Sequence, residues 1–322
     1  MNLLTKVLLA AVALTSFSAA QLQAQTGYPN RPIRMLVGFA AGSSGDVAGR
    51  IVANKLSELL GQTVIVENRA GASSLIATEF VARSAKDGYT LLFATVAATI
   101  NTTLMAGKGP NFEKDLEPIT LVGSIPNILV VHPKLGVNSV QELIAMAKAK
   151  PGELLYGASG IGSGPQMTAE LFKQMAGVQM TAVLYPGSAQ TVTDLVAGRI
   201  NLMFAPASSV LGLIQEGSVK ALASTEGKRS SVAPDLPTIS EAGLKGFDTG
   251  VWFGILAPTG TPAPIIEQLS KATNEAVKDP KVISQLQVQG LDPLGGTPEE
   301  FRQFIRSETE RWAKVVDSMP KK

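Results

Sequence analysis

The stretch Gly38-Phe39-Ala40-Ala41-Gly42-Ser43-Ser44-Gly45-Asp46 sets small residues, two hydroxyls and a carboxylate between an apolar run and an amphipathic one. Where a glycine-rich turn leads from a strand into a helix, unpaired N–H groups and the helix dipole favour an anion. A triphosphate loop needs a lysine and then Ser or Thr after its glycines. Asp46 and Val47 stand in those places, which argues against a nucleotide triphosphate. The spacing of Gly38, Gly42 and Gly45 does not meet the dinucleotide fingerprint either. Ser43 and Ser44 remain as hydroxyl donors. Asp46 is expected to cap the helix or orient the loop, or else to receive a ligand's amine or hydroxyl. From this turn alone, an anion cradle and a capped turn that binds nothing stand even.

Turns of the same kind recur at Glu67–Ser74, Gly157–Gln166, Tyr185–Gln190 and Ala205–Ser209. Each follows a strand-like run and precedes a helical one. In open α/β sheets ligands sit beyond the carboxyl ends of strands, so such turns are placed to meet across one cleft.

Catalytic chemistry finds little support. His132 is the sole histidine and there is no cysteine, so a transition-metal site has few ligands to draw on. No Gly-x-Ser-x-Gly elbow is present, and any Ser-His-Asp set would have to use His132, which reads as structural. Glu299, Glu300, Glu308 and Glu310 read as the solvated face of a helix, and Asp87 as a turn residue. Arg69 reads as a surface or ion-pair residue, with a ligand carboxylate as the alternative. Neither an enzyme nor a cofactor is expected.

The elements that must position the turns follow from periodicity. Ile33–Phe39 reads as a buried strand. The next run has apolar residues at Val47, Ile51, Val52, Leu56, Leu59 and Leu60, a helical spacing closed by Gly61. A strand at Thr63–Asn68, a helix through Ala85 and a strand in Asp87–Thr95 complete a β-α-β-α-β opening, which implies a parallel sheet. The middle of the chain repeats the alternation, starting with a helix capped by Ser139. The end is helical over Ala263–Lys278, Pro280–Gln289 and Pro298–Asp317. Thr297 and Glu300 there form a capping box.

Two apolar strands, about Ile119–Val131 and Thr249–Ala257, are longer than the rest, as strands joining two lobes would be. Alternation on the second sets Trp252 and Phe253 on opposite faces, at least one of them in the core and the other open to a cleft wall. The fold class is therefore α/β with two lobes. Lobe one comprises residues 25–124 plus 250–322 and lobe two residues 125–249, with the ligand site between them.

Bulk properties fit an exported soluble protein. The 322 residues are 45% hydrophobic and 17% charged, enough for a sizeable core in about two domains. The net charge of +2, without a basic block and with few aromatics, argues against nucleic acid. Residues 1–24 have a short positive start at Lys6, an apolar run and small residues, the layout of a signal peptide cleaved after Ala20 or Ala24. That predicts a periplasmic location.

The runs Tyr28–Phe93, Leu116–Pro133, Gly152–Gly164, Tyr185–Phe204, Pro234–Phe247 and Trp252–Ser270 resemble, in order, the Bug family of solute-binding proteins. These are the extracytoplasmic receptors of tripartite tricarboxylate transporters. The resemblance covers essentially the whole mature chain. It implies a type II periplasmic-binding-protein fold, a Venus flytrap with two hinge strands. It also implies a carboxylated solute (a di- or tricarboxylate, an aromatic acid or an acidic amino acid), a membrane permease as partner and a monomeric receptor. An importer of the ABC type or a membrane sensor is the alternative partner, and a small-ester hydrolase the remote alternative. Carried onto this chain, the grip of the first lobe falls on Gly42, Ser43, Ser44, Asp46, Ala72, Ser73 and Thr95. Ser159, Ser163, Gly164, Gly187, Ser188 and Ser208 would supply the second. The chain departs from the family at Ser43, Ser73 and Ser74, where glycine is usual, which implies a shift in ligand choice.

Overall fold

The computed structural model describes residues 27–107 and 109–319; the signal-peptide reading of residues 1–24 lies outside them. Parallel strands β1 (Ile33–Val37) and β2 (Val64–Asn68) flank helix α1 (Ser44–Leu60) in sequence. Gly61 ends α1 at φ 65°, the left-handed cap its position predicts. Helix α2 (Leu75–Ala82) leads to β3 (Thr90–Thr95), parallel to β1 on its other side. Helix α3 (Val96–Leu104) and the single turn α4 (Phe112–Asp115) then precede β4 (Leu116–Val131). α2 stops at Ala82 rather than Ala85, and α3 was not legible as a helix: its threonines and β-branched residues favour strand or cap positions.

The second run comprises α5 (Val140–Ala149), β5 (Leu155–Ala158), α6 (Gly164–Ala176), β6 (Thr181–Leu184), α7 (Ser188–Val196), β7 (Leu202–Pro206), α8 (Ala207–Gln215) and β8 (Lys220–Ser224). β9 (Gly250–Pro258), α9 (Ala263–Lys278), α10 (Pro280–Val288), the two-residue β10 (Asp292–Pro293) and α11 (Pro298–Ser318) close the chain. The strand order is β2-β1-β3-β9-β4-β7-β5-β6, with β8 and β10 also on β4.

β4 is the strand that joins the two runs. From Leu116 to Pro126 it pairs antiparallel with β9, and from Asn127 to Val131 with β7. Its apolar residues Ile119, Val122, Ile125 and Ile128–Val131 are all buried, because both faces of the strand are covered. Where β4 changes partners, Thr225 N–H donates to Asn127 O and Thr249 N–H to Thr225 O, so three passes of the chain meet there. Ser124 Oγ donates to Glu226 Oε1 at 2.6 Å beside that junction. Burial is the main reason the Glu226 carboxyl is pushed up to about 7; the Ser124 bond opposes this, and Asp292 and Asp248 add to it.

The core lies on both faces of the sheet. Trp252 faces Phe301 and Phe304 of α11, and Phe253 stacks on Phe93 at 5.7 Å on the other face. Alternation thus holds, with both side chains in the core and neither an open cleft wall. Glu308 corrects the reading of α11 as having a purely solvated acidic face. It is buried and accepts from the indole N–H groups of Trp252 and Trp312 at 3.1 and 3.0 Å, with Arg311 at 2.7 Å. Burial raises its carboxyl above the ordinary range, against the pull of Arg311 and the two indoles. The neighbouring Glu299, Glu300 and Glu310 are exposed as expected.

Candidate functional site

The turn after β1 is closed by its own side chains. Ser43, not Asp46, is the N-cap of α1: its Oγ accepts from Asp46 N–H at 3.3 Å. Asp46 reaches back, and its Oδ2 accepts from Gly42 N–H at 2.9 Å. Its Oδ1 accepts from Arg50 Nε at 3.0 Å and from Asn68 Nδ2 at 2.9 Å. Burial works to raise the Asp46 carboxyl, but the bonds from Arg50, Gly42 and Asn68 outweigh it and hold the group below its ordinary value. Both carboxylate oxygens are thereby engaged, so Asp46 orients the loop. Gly42 sits at φ 80°, where a side chain would be strained. The N–H groups of Ser44 and Gly45 find no acceptor among the described residues, as the first turn of a helix leaves them.

The turn after β5 repeats this construction. Gly162, at φ 72°, donates its N–H to Gln166 Oε1 at 2.7 Å, and Ser163 Oγ accepts from Gln166 N–H at 3.4 Å. Gly-Ser-Ser-Gly-Asp (42–46) and Gly-Ser-Gly-Pro-Gln (162–166) are thus one device in two copies: a left-handed glycine, a serine cap and a polar side chain that closes the loop. Sequence reading missed Gln166. The shared spacing of Gly, Ser and Asp or Gln was the signal that could have found it.

The turn after β2 has another character. Ala72, Ser73 and Ser74 lie at φ 46°, 49° and 75°, the left-handed region that non-glycine residues occupy at a cost. Its exit is fixed by packing: a Cβ on Gly38 would fall 1.9 Å from Ser74 Oγ, so the first two turns interlock only because residue 38 is glycine. Asn101 Nδ2 of α3 donates to Ser73 O at 2.8 Å. Ser73 Oγ donates to Ile161 O at 3.2 Å, joining the turn after β2 to the turn after β5. Thr95 caps α3 by accepting from Ala97 N–H at 3.3 Å. Gly164 opens α6 against Val96 and Val251, each 3.3 Å from where its Cβ would be.

The turns after β1, β2, β3 and β5 therefore form one cluster. Ser159 belongs to the last of them by sequence, with no side-chain hydrogen bond among the described residues. No described hydrogen bond or close glycine approach ties Gly187, Ser188 or Ser208 to that cluster. Gly187 precedes α7 and accepts from Thr191, Ser188 opens α7, and the Ser208 backbone lies against Gly290.

Other singled-out residues are structural. His132 Nδ1 accepts from Lys134 N–H at the end of β4, Arg69 stacks 3.7 Å over Phe80, and Asp87 pairs with Arg31. A cavity of about 320 Å³ is lined by residues of α2, α3 and the segment after them, among them Leu75, Thr78, Ala98, Asn101, Met105 and Phe112. Among the described residues no group of three or more acidic, His or Cys side chains is placed to hold a metal.

Comparison with known proteins places this geometry. Residues 48–320 match the model of the "Tripartite tricarboxylate transporter family receptor". Protein BugT of Bordetella pertussis is 39% identical over 304 residues, covering 94% of this chain and 93% of that protein. Among solved structures, R. palustris Rpa4515 with adipate superposes with a TM-score of 0.81 at 36% identity, over 90% of this chain and 98% of that one. MatC from Rhodopseudomonas palustris with bound malate gives 0.78 at 29% identity, over 90% and 100%.

Proposed function

This chain belongs to the tripartite tricarboxylate transporter receptor family, and from that premise we propose that it captures a small carboxylated solute in the periplasm and delivers it to a membrane permease. The solute would lie between two lobes, residues 25–124 plus 250–322 and residues 125–249. The observation that carries the reading is the convergence of strand-to-helix turns from both runs of the chain, tied by the Ser73–Ile161 bond. Each turn offers N–H and hydroxyl donors and no unpaired carboxylate.

The donors are those of Ser43, Ser44, Gly45, Ala72, Ser73, Thr95, Ser159, Ser163 and Gly164, with Gly42 and Asp46 shaping the first turn. Gly187, Ser188 and Ser208 would join on domain closure. Hydrogen bonds to a charged group contribute roughly 1.5–3 kcal/mol each. Four or five of them, less the costs of ordering and closure, reach the roughly 8 kcal/mol of micromolar binding. Binding of this kind needs no titrating catalyst. The dicarboxylates held by the two R. palustris proteins support the solute class.

A thermal-shift screen of the mature protein against di-, tri- and aromatic carboxylates tests the reading. A ligand at a hundred times its Kd is expected to add about 2.7 kcal/mol of stability. Absence of any shift across the screen would count against a carboxylate receptor.

A further inference from the structure

Asp46 and Gln166 occupy the same place in the two copies of one turn, yet they differ in what they have left to give. Both oxygens of Asp46 are engaged by Gly42, Arg50 and Asn68. Gln166 is 95% buried, at 5% exposure. Its Oε1 is fixed by the Gly162 N–H, which also fixes which end of the amide is the nitrogen. That nitrogen, Nε2, has no hydrogen-bond partner among the described residues, and it is not one of the polar atoms sealed from solvent. A buried side chain with an open amide NH2 group is thus held at the amino end of α6. Gly164 N–H and the Ser163 hydroxyl stand beside it, and Pro165 carries no N–H of its own.

We infer that Gln166 is the charge-selecting contact of the second run of the chain: its Nε2 donates to a carboxylate oxygen of the solute, and its neutrality lets an anion approach α6. This rests on the carboxylate-receptor reading above. The first turn already holds an anion, the Asp46 carboxylate, neutralised by Arg50. The second holds only an amide, so the positive end of α6 stays free for an external anion. The anionic end of the solute is therefore assigned to the Gly162–Gln166 turn. The first turn takes its remainder through Ser43, Ser44 and Gly45.

Gln166→Glu is the discriminating substitution. Glutamate has the same length and still accepts from Gly162 N–H, and an acid in the first turn of a helix is favourable. The fold is therefore expected to keep its melting temperature. The open donor, however, becomes a like charge facing the solute, and such a juxtaposition weakens binding by on the order of 100-fold. Gln166→Met, which removes the open donor and also the acceptor of Gly162 N–H without adding charge, is expected to lower the melting temperature and to weaken binding by the folded protein by about 10-fold.

The probes are adipate and malate, titrated calorimetrically, together with any carboxylate that the thermal screen finds. A residue with a merely structural role would change the melting temperature and leave the affinity of the folded protein alone. In the wild type, the Gln166 side-chain amide resonance, identified by its loss in Gln166→Met, is expected to shift on saturation with the bound carboxylate. That reading also serves if Gln166→Glu does not fold. Wild type that binds, with Gln166→Glu within threefold of it or with an unmoved amide resonance, overturns the inference and leaves the receptor reading standing. Wild type that binds none of the carboxylates overturns both.

Discussion

The turns at 42–46 and 162–166 share a backbone but not a setting. The first is tied to the rest of its layer: Asn68 at the end of β2 bonds Asp46 and also Phe39 O, and Arg50 bridges Asp46 and Asn68. The second is closed by Gln166 alone and is flanked by two left-handed glycines, Gly160 and Gly162. The difference teaches that the same loop can act as framework or as contact. A closing residue with every polar atom engaged holds structure, and one with an open donor is placed to bind. Substitution of Asp46 should therefore show in stability, and substitution of Gln166 in affinity.

Asp46→Ala breaks the comparison most severely. It leaves Gly42 N–H, the Asn68 amide and Arg50 without their shared acceptor, and chemical denaturation is expected to show a loss of about 3 kcal/mol. A loss under 0.5 kcal/mol would mean that the network does not hold the first turn. Gly38→Ala attacks the interlock with the turn after β2. Its Cβ would fall 2.4 Å from Ser74 Cβ and 2.7 Å from Ser74 Cα, so the backbone must yield. A cost of about 2 kcal/mol is expected, together with weaker carboxylate binding in the same titration.

A third effect concerns the junction on which the two runs meet. The Glu226 carboxyl is raised from 4.5 to about 7 in the folded protein. Its contribution is fully present below pH 4.5, declines between pH 4.5 and 7, and is gone above that. Denaturation curves should thus show stability falling by up to about 2 kcal/mol across that window, discounted for partial exposure. Glu226→Gln should remove most of this slope; a slope unchanged in the variant would assign it elsewhere. The smallest effect is expected at Ser73→Gly. Relief of the left-handed φ gains about 1 kcal/mol, and loss of the bond to Ile161 O gives back about the same. The net change in stability should be near zero, while solution scattering of the ligand-free protein should report a larger radius of gyration. An unchanged radius would show that this bond does not hold the two runs together.

Much of the framework was legible in the sequence because local physics sets it. Gly61, Ser139 and Thr297 ended or began their helices where expected, and the long, largely apolar stretches at β4 and β9 marked the strands linking the two parts of the sheet. What escaped depends on partners distant in sequence. Glu308 is buried because Trp252, 56 residues away, brings an indole N–H to it; only its i,i+4 partner Trp312 was local. α3 is held by packing that overrides its composition. Of the site, the turn residues were visible as types. The division of labour between Asp46 and Gln166 was not, since it rests on which polar atoms the fold leaves open.

The central claim is that a carboxylate is gripped by the amino ends of these turns. Calorimetric titration of the mature protein with the tightest carboxylate from the screen, and with its methyl ester, tests this most directly. The ester keeps shape and apolar area and loses the charge. The account predicts that the free acid binds and that the ester is weaker by at least about tenfold, the loss of one charge-assisted bond. An ester that binds as tightly as the acid would contradict it.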